Sequence, residues 1–153
     1  MRVLGIDWGR RRIGLAVSDA TRTLARPLRA IERGPSDRRA IAELAAIVQT
    51  LADEPDGLAQ VVVGLPRHLD GTPSDETARV TGMVNALRRR ISIPVDTQDE
   101  RLSSREAESR LALRERDWRK RKARLDAASA AVILQDYLDS HAPSPSMEEH
   151  ETS

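Results

Sequence analysis

The stretch MRVLGIDWGRRRIGLAVSD, residues 1–19, decides how the rest of this chain is interpreted. Two apolar runs, at residues 3–6 and 13–17, flank a short turn that contains Gly9 and three arginines, a pattern typical of a β-hairpin. The first run leads directly into Asp7. A carboxylate at the end of a buried strand costs free energy unless an opposite charge compensates it, and a metal ion is the usual compensation. We therefore expect acidic partners for Asp7 elsewhere in the chain.

The composition is that of one domain with an aliphatic core. The 153 residues are 39% hydrophobic and include no Phe, one Tyr and two Trp, and a chain of this length can bury a substantial core. The absence of Cys excludes disulfides and thiolate zinc sites, and no apolar run is long enough for a membrane span or a signal peptide. The sequence thus predicts a cytoplasmic protein with no membrane partner.

Arginine dominates the positive charge. Of the 25 Lys and Arg residues, only Lys120 and Lys122 are lysines. The guanidinium group makes forked contacts with phosphate, so the composition permits a nucleic-acid partner. A genome whose base composition favours arginine codons would give the same excess, and the net charge of +1 does not decide between the two explanations.

The order of apolar runs and helical repeats predicts an α/β domain over residues 1–139 and a disordered tail over residues 140–153. The predicted strands lie at residues 3–7, 13–17, 26–32, 60–64 and 93–98, and the predicted helices at 38–51, 74–90, 103–113 and 125–138. Three strands in a meander followed by αβ repeats indicate a mixed five-stranded sheet, with three antiparallel and two parallel strands, flanked by helices. Pro27 assigns the third strand to an edge of that sheet.

Three acids stand in apolar settings at the ends of these elements. Asp7 ends the first strand, Glu100 follows the last strand, and Asp126 lies in the first turn of the last helix. Asp126 shares a helical face with Ala130 and Ile133, and we expect that face to meet the sheet. Taken singly, Asp126 is explained by helix capping and Asp7 by a turn. Together the three acids could converge at one edge of the sheet, where oxygen ligands of this kind hold Mg²⁺ or Mn²⁺.

Basic residues adjoin two of these acids in the sequence, in one run at residues 10–12 and another at residues 119–124. Such residues are well placed to bind phosphates around a metal ion. We predict this role for Arg10, Arg12, Lys120 and Lys122. The alternative for either run is a solvated loop.

Four motifs in order resemble those of the YqgF/RuvX family of RNase H-like nucleases, whose members are named as pre-16S rRNA nucleases and, earlier, as Holliday junction resolvases. They are DxGx4GxA at residues 7–16, VGLP at 63–66 with DG at 70–71, DERLS at 99–103 with EAE at 106–108, and KxK at 120–122 with Asp126 and SAAxILQxYL at 129–138. A single DxGx4G motif is weak, since actin-like ATPases use a similar phosphate loop. Four motifs over one short domain are far more specific, and they span residues 2–139.

The resemblance implies an RNase H-like fold in which Asp7, Glu100 and Asp126 are catalytic acids that hold one or two Mg²⁺ or Mn²⁺ ions. It implies hydrolysis of phosphodiester bonds in structured nucleic acid, and it favours the 5′ end of pre-16S rRNA over a Holliday junction in branched DNA. The residues themselves discriminate neither between these substrates nor between a monomer and a homodimer. A non-catalytic RNA-binding module is a further alternative. An actin-like ATPase is another, but that fold needs a second phosphate loop, which the sequence lacks.

Other residues near these motifs have both a structural and a functional interpretation: His68, Asp99, Trp8 and Trp118. His68 is expected to be a loop residue rather than a general base. Asp99 could support its neighbour Glu100. The two tryptophans could stack on bases or pack in the core.

Overall fold

The computed structural model describes residues 1–68, 70–100 and 118–141, with the backbone alone for residues 118–124. Within these ranges the chain forms five strands and three helices. The strands are β1 (Arg2–Trp8), β2 (Arg12–Ser18), β3 (Ala25–Glu32), β4 (Leu58–Leu65) and β5 (Val95–Asp99), and the helices are α1 (Asp37–Asp53), α2 (Asp75–Arg88) and α3 (Trp118–Ser140).

One mixed sheet contains all five strands, in the order β3-β2-β1-β4-β5. β2 pairs antiparallel with β1 and β3, whereas β4 pairs parallel with β1 and β5. The predicted architecture is therefore confirmed, including the position of β3 at an edge. Because β1, β4 and β5 are parallel, they end on the same side of the sheet, at Trp8, Leu65 and Asp99. We call this side the carboxyl edge.

Helices cover both faces of the sheet. Successive residues of a strand point to opposite faces, so Leu4, Ile6 and Trp8 of β1 belong to the core beneath α1 and α2, while Val3 packs against α3. β4 is buried on both faces in the same way, and Val62 joins the α3 side. Both clusters are mostly aliphatic, as the composition predicted, and each fully buried Leu or Ile contributes about 1.5–3 kcal/mol.

Local capping sets the beginnings of α1 and α2. The Ser36 hydroxyl accepts a hydrogen bond from the Arg39 amide, and Ser74 with Thr77 forms a reciprocal capping box. The Thr77 hydroxyl also donates to the Pro66 carbonyl. The loop between β4 and α2 is thereby held against the carboxyl edge.

One predicted boundary is wrong in a way that matters for the site. α3 begins at Trp118 rather than at residue 125, because the charged segment consists largely of Arg and Lys, which are good helix formers despite the missing apolar repeat. Asp126 consequently lies two turns inside the helix. Helix capping, the simpler explanation of this acid, is excluded.

A smaller correction concerns β1, which continues through Asp7 to Trp8. The predicted helix at residues 103–113 lies outside the described residues, as do residues 142–153 of the tail predicted for 140–153, whereas Ser140 belongs to α3. Among the described helices, none combines the length and the apolar character that a membrane span requires.

Candidate active site

Asp7 and Asp126 meet on the face of the sheet that α3 covers. Asp7 pairs with Gly14 of β2, and paired residues point to the same side. Gly14 lies directly beneath α3: a Cβ atom at this position would come within 1.9 Å of the Asp126 carbonyl oxygen. The close approach that a glycine permits therefore brings residue 126 of the helix to the level of Asp7.

The two carboxylates interact through their charges. Burial, with a further contribution from the charge of Asp126, raises the pKa of Asp7 from 3.8 to about 7. Two like charges in a poorly solvated place oppose each other's ionisation, and a cation would relieve both. A positive charge beside Asp7 would therefore be favourable.

Glu100 follows β5, which lies on the opposite side of β4 from β1. Its side chain is on the same face of the sheet as Asp7, beneath α3. Its amide donates to the Leu65 carbonyl at 3.2 Å, which holds the residue against the end of β4. Its carboxylate lies over Gly64, where a Cβ atom would come within 2.7 Å of Oε2 and 2.6 Å of Ile133 Cδ1. Only a glycine at position 64 leaves room for this buried carboxylate between β4 and α3.

The three carboxylates do not form a closed ligand set in the part of the chain that the structure describes. No group of three or more His, Cys, Asp or Glu side chains there stands ready to hold a metal ion. Asp126 is engaged with an arginine instead: its Oδ2 accepts a hydrogen bond from Arg12 Nε at 3.0 Å. This charge-assisted bond supplies to Asp126 the positive charge that a cation would otherwise bring.

The predicted phosphate-binding arginines therefore differ in their surroundings. Arg12 forms an ion pair with Asp126. Arg10 Nη2 lies 3.2 Å from Glu76 Oε1, and 79% of the Arg10 side chain is exposed. An exposed pair of this kind contributes little free energy and exchanges readily for another anion. A hollow of about 220 Å³, lined by residues 9–12, Leu125 and Asp126, opens beside these groups. The phosphate-binding roles of Arg10 and Arg12 remain predictions.

Lys120 and Lys122 lie in the first two turns of α3. Their side chains are outside the described part of the chain, so their predicted contact with phosphates stays a prediction. The same applies to the side chain of Trp118.

Trp8 is a core residue. Its side chain is 7% exposed, and the Arg33 guanidinium lies 4.5 Å above its ring. Arg33 Nη1 also donates to the Gly9 carbonyl at 3.0 Å, which holds the turn after Asp7 in place. Sequence reasoning missed Arg33, because no local pattern marks a contact between residues so far apart in the chain.

His68 and Asp99 lie at the periphery of the site. The His68 amide donates to the Thr72 carbonyl at 3.0 Å in a tight turn, and His68 lines a hollow with Arg10 and Ser74. Asp99 is exposed at the end of β5. Any part they take in chemistry stays a prediction.

Comparison with protein families agrees with the four sequence motifs. The family model described as "RuvX: Holliday junction resolvase" matches residues 1–140. The chain belongs to the RuvX family. The resemblance inferred from the motifs is thereby confirmed, and it extends over the whole of β1 to α3.

Curated relatives cover nearly the full chain. A protein of Anaeromyxobacter dehalogenans (strain 2CP-1 / ATCC BAA-258), named "Putative pre-16S rRNA nuclease", is 43% identical over 143 residues, which are 94% of this chain and 100% of the relative. A protein of the same name from Chloroflexus aurantiacus (strain ATCC 29366 / DSM 635 / J-10-fl) is 39% identical over 143 residues, 94% of this chain and 90% of the relative.

A solved structure supports the fold. Thermus thermophilus RuvC in complex with a Holliday junction substrate is similar with a TM-score of 0.50, over 92% of this chain and 95% of that chain. The two sequences are 20% identical. The likeness confirms the predicted RNase H-like fold.

Proposed function

We propose that this protein is a metal-dependent endonuclease that hydrolyses phosphodiester bonds of structured nucleic acid, with the 5′ end of pre-16S rRNA as its substrate. Its family and the names of its relatives support the reaction class and the substrate. The structural observation that carries the proposal is the Asp7–Asp126 pair, in which burial, together with the charge of Asp126, raises the pKa of Asp7 to about 7. A substrate of this kind also agrees with the cytoplasmic location predicted from the sequence.

Asp7, Glu100 and Asp126 are the residues that would hold one or two Mg²⁺ or Mn²⁺ ions. All three offer carboxylate oxygens, which hard divalent cations prefer, and the raised pKa of Asp7 indicates a position where positive charge is favourable. When bound, such an ion lowers the pKa of water and stabilises the charge that develops on the phosphate oxygens. Gly14 and Gly64 position the carboxylates by allowing α3 and Glu100 to approach the sheet.

The arginines of the β1–β2 turn would bind the substrate. Arg10 and Arg11 are exposed beside the hollow next to Asp126, where they can contact phosphates on either side of the scissile bond. Arg12 orients Asp126 through its Nε. Together these side chains would align the strand with the carboxylates, which accounts for much of the rate in phosphoryl transfer.

Cleavage of a Holliday junction is the second candidate, favoured by the description of the family model. Purified protein should be incubated with Mg²⁺ or Mn²⁺ and either a pre-16S rRNA leader fragment or a four-way DNA junction. We expect cleavage near the rRNA 5′ end and an intact junction. Symmetric nicking of the junction by a dimer would establish the alternative. Cleavage of neither substrate above an Asp7→Asn control, with RNA still bound, would indicate a non-catalytic RNA-binding module.

Glu100→Gln should lower the cleavage rate by about 10³-fold or more, because a metal ligand contributes several kcal/mol of transition-state charge stabilisation. The substitution keeps the shape of the side chain, so the thermal unfolding midpoint should change little. Glu43→Gln, the same change at an exposed position of α1, is the matched control and should retain activity. A Glu100→Gln rate within about tenfold of the unsubstituted protein would remove Glu100 from the proposed ligand set.

Arg12→Ala should tighten the binding of Mn²⁺ by about tenfold, because Arg12 and the ion compete for the carboxylate of Asp126. Isothermal titration calorimetry with Mn²⁺ measures this directly, without any substrate. Arg11→Ala removes an exposed neighbouring charge and should leave the affinity nearly unchanged. Weaker Mn²⁺ binding in Arg12→Ala would show instead that Arg12 prepares Asp126 for the metal.

A further inference from the structure

The edge strand β3 carries a set of exposed arginines that the candidate active site does not use. Arg26 and Arg29 lie on β3, and both side chains are exposed. We call these two residues the β3 arginine row.

A β-bulge aligns Arg26 and Arg29. The register between β2 and β3 shifts at residues 15 and 16, so that Arg29 pairs with Leu15 whereas Arg26 pairs with Val17. Two residues three positions apart in a regular strand point to opposite faces, but the extra residue of the bulge restores these two arginines to the same face. Their strand partners are two residues apart, which sets the arginines about 7 Å from each other along the edge.

The row has no acidic partner among the residues that the structure describes. None of the ion pairs within residues 1–68, 70–100 and 118–141 includes Arg26 or Arg29. The acid in the neighbouring turn is Asp19, whose carboxylate accepts hydrogen bonds from Thr21, Thr23 and Leu24. Aligned like charges repel each other, so an anionic partner would stabilise this edge.

A second copy of the chain is a less suitable partner for this edge. Leu24 and Leu28 are exposed here, at 62% and 40%, and could attract another strand. Antiparallel pairing of β3 with itself, however, would bring Arg26 of each copy towards Arg29 of the other. Pro27 also lacks the amide that such pairing needs. The positive charge of β3 therefore favours a polyanion over a second copy of the chain as the partner of this edge.

The row leads towards the candidate active site. β3 ends where Glu32 pairs with Arg12 and where the Arg33 amide donates to the Arg11 carbonyl at 2.9 Å. Asp7 is level with Gly14 of β2, whereas Arg26 is opposite Val17, so the two residues are about 10 Å apart along the strands and about 10 Å apart across two strand spacings. Together these give about 14 Å, which corresponds to about four base-pair rises of a duplex. The row stands on the face of Leu15, whereas Asp7 stands on the other face. Nucleic acid that contacts both must straddle the sheet edge.

We propose that the β3 arginine row is a second nucleic-acid contact, which binds backbone phosphates of a base-paired stem about four base pairs from the scissile bond. This inference rests on the proposed nuclease function and specifies its substrate as RNA with a stem beside the cut. Because arginine contacts to phosphate carry no sequence information, the row would select for the presence of the stem and not for its sequence.

The test compares two RNA hairpins that share one cleavage site, with stems of three and of ten base pairs beside it. Binding is measured by fluorescence anisotropy between 50 and 200 mM salt, using full-length protein that also carries Asp7→Asn to prevent cleavage. The double variant Arg26→Glu/Arg29→Glu should weaken binding of the long-stem RNA by about 10- to 100-fold and reduce its salt slope by about two. Binding of the short-stem RNA should change by less than about threefold, because that stem does not reach the row.

Two variants control for charge and for folding. Arg38→Glu/Arg39→Glu makes the same charge change at exposed positions of α1 and should leave the preference for the long stem intact. Arg26→Lys/Arg29→Lys should retain most of the salt slope, and circular dichroism should show every variant folded. The proposal would be overturned if both Glu variants lost the same affinity for the long-stem RNA. It would also be overturned if Arg26→Glu/Arg29→Glu left the salt slope of binding unchanged.

The remaining outcomes separate this inference from the proposed function. A dimer that Leu28→Glu converts to monomer in sedimentation experiments would make the edge an interface between copies and overturn the proposal. Cleavage of the short-stem RNA by an otherwise unsubstituted Arg26→Glu/Arg29→Glu variant would support the nuclease function, whatever the row does. No binding of either RNA by the Asp7→Asn protein with its arginines intact would contradict both.

Discussion

Asp7→Asn is expected to stabilise the metal-free protein by about 4 kcal/mol at pH 8 and to abolish metal-dependent cleavage. The pKa of Asp7 is raised from 3.8 to about 7 in the folded protein, so the folded state retains a proton that the unfolded state has lost. Each unit of that difference corresponds to about 1.4 kcal/mol. The contribution of Asp7 to the stability of the unsubstituted protein should therefore fall as the pH rises from 3.8 to about 7 and remain at its lower level above that.

Urea unfolding in the presence of a chelator, at pH 4 and at pH 8, measures this effect. Asparagine carries no charge at either pH, so the two proteins should be nearly equal at pH 4 and differ most at pH 8. Asp56→Asn, at an exposed position, keeps Asp7, so its stability should follow that of the unsubstituted protein at both pH values. If the difference between Asp7→Asn and the unsubstituted protein were the same at both pH values, the carboxyl group would not be held in an unfavourable ionised state.

Adding Mn²⁺ at pH 8 tests the same residue as a ligand. The ion should raise the unfolding midpoint of the unsubstituted protein, because a ligand that binds only the folded state stabilises it. It should have little effect on Asp7→Asn. A residue that lowers stability and yet is needed for binding a cation is typical of a functional site.

Gly14→Ala is expected to destabilise the protein by about 3 kcal/mol and to displace Asp126 from the site. A Cβ atom at residue 14 would lie 1.9 Å from the Asp126 carbonyl oxygen and 2.5 Å from its carbonyl carbon. Both are backbone atoms inside a helix, so no side-chain rotation can relieve the overlap. α3 must move away from β2, and the contact between Asp7 and Asp126 weakens as a result.

Gly82→Ala provides the matched control for this substitution. No atom lies within 4 Å of the position that a Cβ atom on Gly82 would occupy, and Gly82 lies inside α2. Alanine there should stabilise the protein by up to about 1 kcal/mol, because it favours the helix more than glycine does. The two substitutions should therefore shift the urea midpoint in opposite directions. A Gly14→Ala protein as stable as its parent would show that α3 has no fixed distance from the sheet.

Much of the fold follows from periodicity along the chain. The hairpin at residues 1–19 and the fully apolar fourth strand correctly indicated the mixed sheet, because alternation in a strand reflects the faces that the strand buries. The edge position of β3 followed from Pro27 for a similar local reason. The start of α3 could not be predicted in this way, because the charged segment at its beginning has no apolar repeat that would indicate a helix.

For the acids, too, the sequence predicted some features and not others. The chain itself marked Asp7, Glu100 and Asp126, because each is an ionisable residue beside an apolar run. Their exact surroundings were not evident: Arg12 bonds Asp126 across 114 residues of sequence, and the closeness of Asp126 to Asp7 depends on the missing side chain of Gly14. A spacing of residues does not encode such distances.

The sequence by itself thus determined the family and the mixed five-stranded sheet, and it marked the three candidate acids, since these depend on residue type and local pattern. The tertiary structure alone decided that Asp7 has a raised pKa and that Asp126 meets Arg12. It also decided which way Arg26 and Arg29 point, because a single bulge between β2 and β3 reverses their orientation. Electrostatic energies depend on distance and burial, and these exist only once α3 has packed onto the sheet.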